Sequence, residues 1–144
     1  MIIETAIEID APADRVWAAL IAFERYPEWN PLTVRVQGEP RVGEVLTLHV
    51  ELAGRRMTRK HVISRLDGAA LCWTIRTRKP WLMRGERCQT LTDLGNARCR
   101  YANREAVHGL VSGIVGVGFS RSIKSALEAT GSALKAHVEA LPEP

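Results

Sequence analysis

A chain of 144 residues with 46% hydrophobic and 25% charged residues has the size and composition of one globular domain, spanning residues 1–144, with a core of its own. Its net charge of +4 and isoelectric point near 9.3 come with no basic helix or aromatic-interleaved motif, so nucleic acid is not an expected partner. Met1-Ile2-Ile3-Glu4-Thr5 lacks the pattern of a signal peptide. The longest apolar tract, from Ala106 to Phe119, falls short of the roughly 20 residues a bilayer span needs, so no integral membrane association is expected.

Residues 2–9 alternate, Ile3, Thr5, Ile7 and Ile9 against Glu4 and Glu8, which predicts a half-buried strand. Ala11-Pro12-Ala13-Asp14 opens a helix, with Pro12 in the first turn and Asp10 as the available cap. Its apolar face is Val16, Trp17, Leu20 and Ile21. Pro27-Glu28-Trp29-Asn30-Pro31 excludes regular helix and predicts a tight connector around a short second helix, with Trp29 turned inward. From Thr33 to Val107 the period is two. Val34 and Val36 form one strand, and Leu46, Leu48, Val50 and Leu52 another. A strongly polar run from Arg56 to Leu66 is closed by the hairpin signal Asp67-Gly68. Leu71, Trp73, Ile75 and Thr77 share one face of the next strand, and residues 83–93 make another. In the last, Cys99, Tyr101, Asn103, Glu105 and Val107 oppose Arg98, Arg100 and Arg104. That is about seven antiparallel strands.

The segment from Phe119 to Leu141 then repeats at helical steps, with Ile123, Leu127, Thr130, Leu134, His137, Val138 and Leu141 on one stripe. Ala126, Ala129, Ala133 and Ala136 form a small-residue face that would let another surface approach. One long helix beside many strands must bury its stripe on a sheet. The order is β-α-α-β6-α, an α+β architecture.

Cys72, Cys88 and Cys99 are odd in number, widely spaced and without a CxxC pair. They predict three reduced thiols, with the cytoplasm as the default location. His49, His61, His108 and His137 have no metal-ligand spacing, so no metal is expected. Gly116-Val117-Gly118 lacks both the third glycine of a dinucleotide loop and the Lys-Ser/Thr of a phosphate loop, and no cofactor is expected. Gly113, Gly116 and Gly118 read as a loop or loosened first turn before Phe119, the alternative being a hinged lid.

The order of elements, with Ile9-Asp10-Ala11-Pro12-Ala13-Asp14-Arg15-Val16-Trp17 and Tyr26-Pro27-Glu28-Trp29-Asn30-Pro31, resembles the START/Bet v 1-like (SRPBCC) superfamily, nearest its polyketide cyclase/dehydrase-like group. Leu71-Cys72-Trp73, the stretch Glu105 to Gly109 and the helix end from Ala133 to Glu139 are similar to further family segments. The resemblance covers essentially the whole chain. It implies a helix-grip fold, in which a curved antiparallel sheet wraps the C-terminal helix around an apolar cavity. Relatives often carry a His and a Phe on the sixth strand, where this chain has Arg87 and Gln89.

On this reading the partner is a small hydrophobic molecule, such as a lipid, isoprenoid or polyketide-like aromatic, bound by burial, with transport as an accompanying role. The lining would be Trp29, Leu48, Val50, Trp73, Ile75, Tyr101, Asn103, Glu105, Ile123 and Leu127. Tyr101, Asn103 and Glu105 would orient its polar end, unless Glu105 simply pairs with Arg87 or Arg84. The alternative is a cyclase/dehydratase-like enzyme in which Tyr101, Glu105 or Arg87 moves protons. Trp29 and Trp73 serve equally as core residues. Arg56, Arg59, Lys60, Arg76 and Arg78 read as a solvated sheet exterior, with anionic membrane surfaces as the alternative. Monomer and homodimer both fit.

Overall fold

Alternation over residues 2–9 becomes the first strand of a sheet that continues through the rest of the chain. The computed structural model describes residues 1–143. The elements are β1 (Ile2–Ile9), α1 (Ala13–Ile21), a 3-10 helix (Phe23–Glu28), β2 (Thr33–Gln37), β3 (Val45–Leu52), β4 (Arg55–Leu66), β5 (Ala70–Ile75), β6 (Arg84–Gly95), β7 (Arg98–His108) and α2 (Ser112–Glu139). The strands form one antiparallel sheet in the order β1-β7-β6-β5-β4-β3-β2. It curves into a half-barrel around α2, the helix-grip arrangement.

Pro12 stands at the N-cap of α1 with no side-chain cap. Asp10, expected to supply one, instead pairs with Arg98 at 3.2 Å, and its amide donates to Glu139. The connector carries Pro27 inside the 3-10 helix. Tyr26 is fully buried there, its hydroxyl donating to the Leu20 carbonyl at 2.7 Å, and Trp29 is buried behind it. Ile123, Leu127, Thr130, Leu134 and Val138 of α2 face the sheet.

Three expectations need correction. First, α2 begins at Ser112 rather than Phe119, so Gly113, Gly116 and Gly118 are helical. Val115 packs against the cluster of Leu32, Ile123 and Leu127, which offsets part of the roughly 1 kcal/mol that each glycine costs a helix. Second, the alanine stripe does not make the closest approach, since Ala129 and Ala136 are exposed. Gly131 does so: a Cβ there would lie 3.4 Å from Ile7 and 3.7 Å from Tyr101. Third, Cys72 and Cys88 are not free thiols. They face each other across β5 and β6, Cα atoms 4.1 Å apart, joined as a disulfide, and only Cys99 is free. That pairing removes the ground on which a reducing compartment was inferred. No helix among the described residues is long and apolar enough to cross a membrane.

Candidate functional site

Strand register decides which side chains share the concave face under α2. On β7 these are Cys99, Tyr101, Asn103, Glu105 and Val107; opposite them on β6 stand Leu91, Gln89, Arg87 and Gly85. Leu71 and Trp73 of β5 continue the face beside Gln89 and Arg87. Ile63 and His61 of β4 follow, paired with Trp73 and Ile75. One end of this face is apolar and filled: Ile9, Leu71, Cys99, Tyr101 and Leu134 are at most 1% exposed. Polar groups interrupt it halfway along.

Three of them form a chain. The Tyr101 hydroxyl donates to Gln89 Oε1 at 2.7 Å and accepts from Asn103 Nδ2 at 3.0 Å. Burial pushes the Tyr101 phenol well above its ordinary pKa, against a smaller opposing pull from Arg87. Tyr101 is therefore neutral at neutral pH, with its hydroxyl proton directed at Gln89 Oε1. Nearer the open end, Arg87 Nε donates to Glu105 Oε2 at 2.7 Å, with side chains 15% and 17% exposed. Glu105 is thus held by Arg87, the pairing considered from sequence, rather than poised as a free base.

His61 is the residue that sequence reasoning missed. Its ring meets Trp73 edge-on at 6.5 Å. Burial, reinforced by the Arg87 charge, lowers its pKa to about 4, so the imidazole is neutral at neutral pH. Metal-ligand spacing does not find it; parity does, since Ile63, His61, Arg59 and Met57 alternate along β4. Arg59, expected on the exterior, consequently falls on the concave side, opposite Leu48.

Two polar atoms on this face are buried without a hydrogen-bond partner among the described residues, Asn103 Oδ1 and His61 Nδ1. Such orphans are rare because each carries a desolvation cost of about 1–3 kcal/mol. Asn103 is itself only 1% exposed.

The other sequence-predicted positions divide between two clusters. Trp29, Leu48 and Trp73 lie in the main core, Ile123 and Leu127 in the smaller one, and Val50 touches both. Trp29 stacks on His137 at 5.9 Å. Ile75 is half-buried towards the open end. The broad clefts are centred elsewhere, one of them reaching the row only at Tyr101. One of about 390 Å³ runs over Val34, His49, Val50 and Met57; another, of about 280 Å³, separates β1 from α2 at Ile7, Tyr101, Leu127 and Gly131. Both are open to solvent, whereas two of the three orphaned polar atoms, His61 Nδ1 and Asn103 Oδ1, sit on the row from His61 to Asn103, the third being Trp29 Nε1 in the core beside His137. The candidate site is placed on that row.

Residues 1–139 match the family described as polyketide cyclase / dehydrase and lipid transport. The chain belongs to this family. No curated protein sequence matches it. Among solved structures it is similar to the Zhui aromatase/cyclase of Streptomyces sp. R1128, at 21% identity and a TM-score of 0.80, over 96% of this chain and 93% of that one. A START superfamily protein from Mycobacterium smegmatis is similar at 19% identity and a TM-score of 0.80, over 98% and 99%. Norcoclaurine synthase from Thalictrum flavum, solved with dopamine and hydroxybenzaldehyde, aligns at 13% identity and a TM-score of 0.74, over 99% and 89%. At these identities the structural likenesses establish the fold.

Proposed function

We propose that the concave sheet face under α2 binds a small, mostly apolar molecule carrying a hydroxyl or carbonyl. Its polar end is held by the row His61, Arg87, Gln89, Tyr101, Asn103 and Glu105. The observation that carries this is the pair of orphaned atoms, Asn103 Oδ1 and His61 Nδ1, on a face that is apolar at its other end. A ligand donor on Asn103 Oδ1 would satisfy the buried acceptor and orient the molecule, while apolar surface supplies affinity. Family membership favours the same reading. The neighbours' names, an aromatase/cyclase and a synthase solved with dopamine and hydroxybenzaldehyde, point to aromatic or polyketide-like ligands, with lipids as the other class in the family's description.

A second reading, a cyclase/dehydratase-like enzyme, draws on His61. A neutral imidazole within the field of the Arg87 guanidinium combines a base with a cation that stabilises an enolate. The two readings separate by experiment. Native mass spectrometry of the purified protein tests for a co-purifying apolar molecule, with Asn103→Leu expected to lose it. Binding and turnover of a model poly-ketone are then compared in His61→Gln and Glu105→Gln. Loss of turnover with binding intact would overturn the carrier reading. Absence of any bound molecule, together with no affinity for aromatic hydroxyl probes, would overturn both.

A further inference from the structure

Large apolar side chains are exposed at one end of the molecule. Trp81 in the β5–β6 loop is 61% exposed, Leu110 before α2 76%, and Ile114 and Val117 in its first turns 74% and 93%. Backbone hydrogen bonds hold the two segments side by side. The Leu110 amide donates to the Trp81 carbonyl and the Val111 amide to the Leu82 carbonyl, both at 3.2 Å. Gly109 makes this approach possible: its φ is +110°, and a Cβ would lie 2.5 Å from the Leu82 carbonyl oxygen. Leu82 and Met83 turn inward and donate to the Lys79 carbonyl, leaving Trp81 outside.

The charge carried by these two segments has one sign, the nearest acids belonging to neighbouring residues, Glu51 in a cleft with Arg121 and Glu86 in a cleft with Arg84. Neither 68–85 nor 106–127 contains an acidic residue, while Arg76, Arg78, Lys79, Arg84, Arg121 and Lys124 fall within them. All six are exposed, and none takes part in an ion pair among the described residues. The first turn of α2 carries no acidic residue, so the positive end of the helix dipole adds to the field. An exposed apolar cluster within a cationic rim marks an interaction site. An indole with branched aliphatics, flanked by Arg and Lys, suits the headgroup–acyl boundary of an anionic bilayer.

We infer that this end, Trp81, Leu110, Ile114 and Val117 with Arg76, Arg78 and Lys79, docks reversibly on an anionic membrane surface. The inference does not depend on what the concave face holds. Its test is co-sedimentation of the intact protein with phosphatidylcholine vesicles, with and without phosphatidylglycerol. Binding is expected to need the anionic lipid and to weaken as salt is raised. Replacing Arg76, Arg78 and Lys79 together by Gln should weaken it roughly a hundred-fold, at about a factor of five per cation. Trp81→Ser with Ile114→Ser should weaken it at least about ten-fold. Both variants change exposed side chains, and unchanged thermal unfolding would verify their fold. Equal binding to neutral and anionic vesicles, or no binding to either, would overturn the inference. So would a dimer in sedimentation velocity that Trp81→Ser with Ile114→Ser dissolves, since the patch would then belong to a second copy of the chain.

Discussion

Breaking the Arg87–Glu105 pair on one side only is the perturbation whose size is best fixed by the structure. The contact is 2.7 Å and the side chains are 15% and 17% exposed, so removing either partner strands a largely desolvated charge. For a buried pair that costs roughly 3–5 kcal/mol, and the residual exposure places this one near the lower end, at about 3 kcal/mol. A chain of this length loses about 3 °C of melting temperature per kcal/mol, so Arg87→Met or Glu105→Leu should each melt about 9 °C lower. The double variant, apolar on both sides, should recover to within about 1 kcal/mol of the parent. Thermal unfolding followed by circular dichroism measures all three. Single variants costing below about 1 kcal/mol, the value of an exposed pair, would refute the reasoning, because the row would then be wet rather than enclosed.

Tyr101→Phe strips Gln89 Oε1 and Asn103 Nδ2 of their shared partner and should cost about 1–3 kcal/mol by denaturant unfolding. His61 titrates near 4 folded against 6.5 in the unfolded chain, so its contribution is complete above 6.5 and is lost as pH falls from there towards 4. His137 is shifted in the same direction, so His61→Gln should flatten the acid limb of a stability profile only in part. Closing a loop across 16 residues, the Cys72–Cys88 link should contribute about 3 kcal/mol on the chain-entropy account; dithiothreitol should remove that from the parent but not from Cys72→Ala with Cys88→Ala. A Cβ meets nothing within 4 Å at Gly113 or Gly118, so alanine at both should slow amide exchange across 112–119 by up to about 1 kcal/mol per site.

Periodicity carried the fold a long way. Alternation in 2–9, 46–52 and 97–107 and the helical stripe from Ile123 to Val138 located the sheet and the helix that closes it, since each buries one face. It failed where polarity overrode parity. The run from Arg56 to Leu66 looked like pure exterior, and so His61 and Arg59, which alternate with Lys60 and Val62, went unplaced on the concave face. Spacing rules failed for Cys72 and Cys88 because their pairing follows from the β5–β6 register rather than from a local motif. Gly113, Gly116 and Gly118 read in sequence as a loop or loosened first turn before Phe119, whereas α2 continues through them back to Ser112, with Val115 packed on the core. The row from Tyr101 to Glu105 was legible as a set, but its bonding to Gln89 and Arg87 depends on which strand lies beside β7.

The most direct test of ligand binding on the concave face is a two-dimensional amide NMR titration with 1-naphthol, an aromatic hydroxyl probe. Saturable shifts centred on His61, Gln89 and Asn103, lost in Asn103→Leu, are the predicted result. Shifts confined to the solvent-open cleft at Val34 and His49, or none at all, would contradict it.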